Sequence, residues 1–299
     1  MKIIRGLHNF HSQQGCVATI GNFDGVHLGH QQILKSLVSH AKKLNLPSVL
    51  ISFSPTPQAF FGKPQATLSS FKEKHKLLEA LGLEQHLIIN FNANFARLSA
   101  DEFIRKILLD KLQVRFCLIG DDFRFGAGRK GDFALLQSFD FQVQKAKSLL
   151  HQQARISSSG IRKLLKTGDF ELAKKMLGRD FSITGKIIRG RQLGATIGFP
   201  TINIPIKRSI SPLEGVFAVK IKLKNNTFKG VCNLGKRPTV GGETVILEVF
   251  IFDFSQDIYG EIAEVIFKLK IRDEQKFESF EALKMQIKLD AKIAKEYFD

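Results

Sequence analysis

The sequence predicts an α/β N-terminal half, with a parallel sheet and flanking helices, joined near residue 180 to a C-terminal antiparallel barrel or sandwich that ends in a helix. Three observations predict it. Before residue 180, short apolar β-rich runs alternate with segments of helical period. From Phe181 to Leu269 that period disappears, and strand-like runs follow at close spacing with Gly, Pro and Asn turns. The tail then regains one apolar helical stripe. A chain of 299 residues also exceeds the roughly 150 expected of one domain, which suggests two, 1–180 and 181–299.

The expected strands of the first half are "CVATI" (16–20), "SVLISF" (48–53), "HLIINF" (86–91) and "RFCLIG" (115–120). Between them Leu34, Leu37, Val38 and Ala41 share one helical face, and so do Phe103, Ile104, Ile107 and Leu108 after a cap region at Ser99 and Asp101. "SSSGIRKLLKTGDFELAKKMLG" (157–178) reads as two short helices broken at Thr167-Gly168-Asp169. The second half offers "FSITGKII", "GVFAVKIKL", "TFKGVCNL", "TVILEVFIF" and "EIAEVIFKL" as strands. Phe280, Leu283, Ile287, Ala291, Ala294 and Phe298 mark the final helix.

Composition excludes several classes. No apolar run approaches the ~20 residues of a membrane span, and the N-terminus lacks a secretory pattern, so a cytoplasmic protein without membrane association is expected. Cys16, Cys117 and Cys232 fit neither a disulfide framework nor a metal-site spacing and read as buried small hydrophobes. A net charge of +17 favours anionic partners of any kind. The basic residues are spread along the chain and no aromatic RNA-binding signature accompanies them, so a nucleic-acid partner is not expected.

The richest local pattern is "TIGNFDGVHLGHQQIL" (19–34), a glycine-laden turn between an expected strand and an expected helix. Such a turn can aim backbone amides and a helix N-terminus at a phosphate. His27 and His30, three apart, share a face of the first helical turn and could hydrogen-bond phosphate oxygens. A metal site would need further ligands that no nearby spacing supplies; a purely structural turn is the other reading.

His27-x-Gly29-His30 after a strand, paired with "ISSSGIR" (156–162), resembles the nucleotidylyltransferase superfamily. More closely, "TIGNFDGVHLGHQ", "FARLSADEFI", "IGDDFRFGAGRKGD", "ISSSGIRKLLKTGDFELAKKMLGR", "GFPTINI", "GVCNLGKRPT", "LEVFIFDFSQDIYG" and "IRDEQKF" occur in the order of the bifunctional bacterial riboflavin kinase/FAD synthetase family. The resemblance spans nearly the whole chain. It implies a Rossmann-like nucleotidylyltransferase domain that transfers AMP from ATP to FMN, followed by a riboflavin kinase β-barrel that phosphorylates riboflavin. ATP, riboflavin and FMN are then the substrates, flavins are substrates and products, and Mg²⁺ arrives with ATP. The oligomeric state is left open.

The resemblance also implies roles. His27 and His30 bind the reacting phosphates. Gly21, Asn22, Phe23, Asp24 and Gly29 shape the nucleotide loop, and Arg155, Ser157, Ser158, Ser159 and Arg162 hold the remaining phosphates, Ser159 standing where the family usually has Thr. Asp122, Phe123 and Arg124 fall where the family contacts FMN. In the second half Thr201 and Asn203 would face Mg²⁺ and the nucleotide, Glu248 would be the catalytic base, and Asn233, Arg237 and Arg272 are flavin or nucleotide contacts. Alternation places Glu248, Phe250 and Phe252 on one strand face.

Three positions depart from the family pattern. Ser54 replaces the Glu of "FEPxP", Ala195 stands where an Arg is expected, and Phe250 stands where relatives often have His. Loss of the Arg removes a phosphate donor and predicts either compensation by Lys186, Arg189 or Arg191, or a weaker kinase.

Overall fold

The computed structural model describes residues 1–299 except 13, 153, 191–197, 207–209, 240 and 241, and describes no side chain within 236–244. The chain forms two compact units, Met1–Gln65 with Phe71–Ser157, and Ala66–Ser70 with Ser158–Asp299.

In the first unit, β1 (Lys2–Arg5), β2 (Cys16–Ile20), β3 (Ser48–Ser54), β4 (Gln85–Asn90), β5 (Val114–Ile119) and β6 (Gln142–Lys145) form a parallel sheet in the order β1-β4-β3-β2-β5-β6. The four expected strands are the inner four. The edges β1 and β6 are short and mostly solvent-facing, so no apolar run marks them in the sequence.

Helices cover both faces: α1 (Leu28–Leu44), α2 (Pro57–Phe60), α3 (Phe71–Ala80), α4 (Ala93–Arg97), α5 (Ala100–Glu102) with a π-helical continuation at Phe103–Lys111, and α6 (Phe133–Gln137). Leu34, Leu37 and Ala41 of α1, with Leu78 of α3, pack on Val17, Leu50, Phe116 and Leu118. Phe103, Ile104, Ile107 and Leu108 pack on Ala18, Val49, Ile51, Leu87 and Cys117. Each large side chain so buried contributes on the order of 2 kcal/mol. The expected cap at Ser99 is a capping box whose second partner is Glu102 (Ser99 N to Glu102 Oε2, 3.0 Å; Glu102 N to Ser99 Oγ, 3.1 Å). Only the third helical position can reach back to the cap amide.

From β2 the sheet grows through β3 to β4 on one side, while β5 pairs with β2 on the other. The loops leaving β2 and β5 therefore diverge. The crevice at the carboxyl ends of these two strands is the place where open α/β sheets receive ligands. A short hairpin, β7 (Leu150–His151) with β8 (Ala154–Arg155), follows β6.

The second unit starts with α7 (Ser158–Thr167) and α8 (Phe170–Leu177), broken as expected at Gly168, whose φ of 85° and close approach to Lys270 exclude a side chain. Phe170 packs on Phe217 and Phe267. The strands are β9 (Ser182–Lys186), β10 (Thr201–Ile206), β11 (Gly215–Leu223), β12 (Asn226–Thr239), β13 (Gly242–Ile251) and β14 (Ile262–Arg272), antiparallel in the order β10-β13-β12-β11-β14-β9. Ile188 N donates to Asn203 O at 2.8 Å, so the segment after β9 meets β10 and nearly closes a barrel. Leu247, Val249, Phe217, Leu234 and Val265 are fully buried, whereas the opposite faces of the same strands carry Val216, Ala218, Val231 and Phe252 against Ala291, Ala294 and Phe298 of α9 (Phe280–Phe298). Phe280, expected on the buried stripe, is half exposed. The three cysteines are free and buried, and burial pushes the Cys16 and Cys117 thiols up to about 12. They serve as core apolar groups.

Candidate active sites

The first cluster sits where β2 ends. Gly21 N still donates to Ile51 O, and the chain then turns through Phe23 (φ 49°), Gly25 (φ 77°) and Val26 (φ 40°) into α1. His27 caps α1, its Nδ1 accepting from His30 N at 3.3 Å, and the two imidazoles stack with centroids 3.5 Å apart. Phe23 closes the other side of His30, at 4.7 Å. A side chain at Gly29 would lie 3.3 Å from the His27 ring and 3.7 Å from Ile156 O, so the glycine of the first motif adjoins the start of the second.

Electrostatically this turn is prepared for anions. Burial, then the nearby His27, Lys74 and Arg155, hold His30 well below the ordinary histidine value, so it is neutral. Its buried Nδ1 has no hydrogen-bond partner among the described residues. The positive end of α1 and the Lys74 ammonium suit an anion such as phosphate, to which a neutral imidazole can still donate.

The loop after β5 reaches the same region. Arg155 on β8 bonds Asp121 and Asp122, both at 3.0 Å, and its guanidinium holds the Asp122 carboxyl below the usual carboxylate range. Arg124 pairs with Asp132 at 2.9 Å and Phe123 stacks on Phe125. A chain of ring contacts runs from Phe61 and Phe60 after β3 through Phe91, Phe95 and Phe103 to Phe125. Phe61 is 63% exposed, which leaves part of this aromatic ledge open to a planar ligand. Ser157 ends the first unit. Ser158, Ser159 and Arg162 open α7 in the second, where Arg162 Nε donates to Ala66 O.

Sequence reasoning did not single out Lys74. It lies in "KEKHK", which reads as a solvated helix face, yet Lys74 donates from Nζ to Asn22 O at 3.1 Å, and burial lowers its basicity. Asp121, the second carboxylate on Arg155, also went unmarked.

The second cluster is a row across the barrel. Asn203 is the register partner of Glu248, and Glu248 of Asn233, so β10, β13 and β12 place the three polar side chains side by side on one face. Thr201 stands opposite Phe250 on that face, and Phe250 meets Phe199 edge-on at 5.0 Å. Asn203 is buried, with its carboxamide where a Cβ on Gly190 would otherwise be. Asn233 Nδ2 donates to Glu274 Oε1 at 3.3 Å. Arg272 is engaged by Asp290 of α9 through three hydrogen bonds of 2.8–3.1 Å, which makes it part of the joint between α9 and β14. The Arg237 side chain, Arg191 and Ala195 lie outside the described residues.

Comparison with known proteins finds a match for each half of the chain. A family model described as FAD synthetase matches residues 9–160, and one described as riboflavin kinase matches 177–298. The bifunctional riboflavin kinase/FMN adenylyltransferase of Haemophilus influenzae is 47% identical, covering all of both chains. That of Escherichia coli is 43% identical, covering all of this chain and 98% of its own. A crystal structure described as a macrolide-efflux protein from Streptococcus pneumoniae superposes with a TM-score of 0.81 at 30% identity, covering 98% of each chain. Among the described residues, no helix is long and apolar enough to cross a membrane. Both halves match in sequence and order, and the chain belongs to the bifunctional riboflavin kinase/FMN adenylyltransferase family.

Proposed function

We propose that this bifunctional enzyme divides its work at about residue 180, with residues 1–180 transferring AMP from ATP to FMN and residues 181–299 phosphorylating riboflavin. The carrying observation is that two separate polar clusters fall on either side of that boundary, one built on His27 and His30, the other on Asn203, Glu248 and Asn233.

In adenylyl transfer an FMN phosphate oxygen bonds to the α-phosphorus of ATP, the bridging bond to the β-phosphate breaks, and pyrophosphate leaves. Two anions must meet, so alignment and charge neutralisation supply most of the catalysis. His27, His30 and the α1 N-terminus bind the reacting phosphates. Gly21, Asn22, Phe23, Asp24 and Gly29 shape the adenosine side, and Arg155, Ser157, Ser158, Ser159 and Arg162 are assigned to the other phosphates. Asp122, Phe123 and Arg124, beside the aromatic ledge, are assigned to the flavin.

In phosphoryl transfer Glu248 accepts the proton of the 5′-hydroxyl as that oxygen bonds to the γ-phosphorus, the bond from the γ-phosphorus to the β–γ bridging oxygen breaks, and ADP leaves. Thr201 and Asn203 offer a hydroxyl and a carboxamide, hard oxygen donors that fit Mg²⁺. Mg²⁺ there would neutralise phosphate charge. Asn233, Arg237 and Arg272 are assigned to flavin or nucleotide, Arg272 by way of the face it shares with Asn233. A cytoplasmic location, with neither membrane nor nucleic acid as partner, belongs to the same proposal, since ATP and FMN are supplied inside the cell.

Incubation with ATP and Mg²⁺, started separately from riboflavin and from FMN, tests the reading. FMN and then FAD are expected from riboflavin, and FAD from FMN. Failure to form either product from either flavin rejects it.

A further inference from the structure

The turn between β2 and α1 is strained. Phe23 (φ 49°) and Val26 (φ 40°) occupy the left-handed region, which β-branched side chains avoid most of all. Such a conformation persists only when its surroundings over-determine it. Gln31 and Lys74 tether this one. Gln31, in the first turns of α1, donates from Nε2 to Val26 O at 3.0 Å. Lys74, on α3, donates from Nζ to Asn22 O at 3.1 Å. The tethers bracket Phe23, whose ring packs on His30.

We propose that Lys74 is a positioning residue for adenylyl transfer: its ammonium holds the Asn22 carbonyl, and through it the Phe23–Val26 turn, in the conformation that presents His27 and His30 to the nucleotide phosphates. The inference rests on assigning those two histidines to that reaction. A lysine suits the task, because a compact charge on a flexible stem reaches a single carbonyl without demanding the planar geometry of a guanidinium.

Charge adds to the tether. The groups facing His30 are His27 at the start of α1, Lys74 from α3 and Arg155 from β8, and each disfavours a proton on His30 beyond the effect of burial. Asp24, in the same turn, stabilises the Lys74 charge. One ammonium thus fixes the turn and helps keep the His30 imidazole neutral.

The test uses the full-length enzyme. Lys74→Met keeps the apolar stem and removes the ammonium. The kcat for FAD formation from FMN should fall about ten- to a hundredfold, as small misplacements at a reacting centre do. The KM for ATP should move less than about threefold. The acid limb of the kcat–pH profile should move to higher pH, because a positive charge has left the surroundings of His30. Lys74→Arg should restore much of kcat. Gln31→Leu, which loosens the same turn without removing a charge, should lower kcat and leave the pH profile in place.

Wild-type kcat in Lys74→Met, or a raised KM with kcat and pH profile unmoved, overturns the proposal. His30→Ala, measured alongside, separates two failures. If His30→Ala makes FAD normally, the assignment of the histidines is wrong; if it does not and Lys74→Met is unaffected, only the role of Lys74 is wrong.

Discussion

Asn203 on β10 and Glu248 on β13 are register partners of an antiparallel pair, so a carboxamide and a carboxylate distant in sequence stand side by side on one barrel face. Glu248→Gln should keep that shape and remove the base. FMN formation from riboflavin should fall by about 10²–10⁴, the usual range for a general base, while FAD formation from FMN stays near wild type. Parallel loss of both activities would place Glu248 in a structural role instead.

Gly190 leaves room for Asn203. An added Cβ would lie 2.2 Å from Asn203 Nδ2, with the whole carboxamide group within 2.9 Å. Gly190→Ala should therefore displace Asn203 and lower riboflavin phosphorylation at least about tenfold, as loss of alignment does. Its effect on FAD formation from FMN should be small. A kinase assay on this variant, compared with Asn203→Ala, measures whether the glycine acts through the asparagine.

His30→Ala should have the converse pattern. It removes a neutral imidazole whose Nδ1 is buried and unpartnered, and FAD formation should fall by about 10²–10³, the cost of losing one preorganised donor. Riboflavin phosphorylation should be spared. Product analysis from each flavin decides the matter.

His86 makes the first unit sensitive to acid. It is fully buried on β4, its Nε2 2.7 Å from Ser52 Oγ, and burial pushes its imidazole down to about 3, with Lys74, His75 and Arg5 adding to the effect. An unfolded histidine titrates near 6.5, so between these values the unfolded chain binds a proton that the folded chain refuses. The associated stability is complete above about pH 6.5 and is lost as pH falls toward about 3, by at most about 1.4 kcal/mol per pH unit. Hydrogen exchange at β3 and β4 amides, corrected for intrinsic rates, should show weaker protection at about pH 5 than at about pH 7. The Ser52→Ala, His86→Leu double variant should flatten that difference, and an equal slope would exclude His86 as its source.

Much was legible in the sequence where a local rule applied. Apolar runs marked β2, β3, β4 and β5 because both of their faces are buried, and the same rule overlooked β1 and β6, short edge strands in which Ile4 and Val143 face the core among exposed neighbours. The break at Gly168 and the cap at Ser99 follow from chain geometry and could be seen directly. Lys74 could not. Its neighbours in "KEKHK" resemble a solvated face, and only the packing of α3 beside the β2 turn gives its ammonium a carbonyl to hold.

The sequence by itself determined the motifs and their order, and with them the family and its two reactions, to which we assign a histidine pair on a glycine turn and a glutamate in an apolar strand. Tertiary structure decided which side chains stand together. Strand register set Asn203 and Asn233 on either side of Glu248, helix packing brought Lys74 to Asn22, and a buried carboxylate, Asp290, claimed Arg272. The reason is physical. Periodicity and turn chemistry act over a few residues and are written locally, whereas register, burial and the field around an imidazole arise only when distant segments share one core.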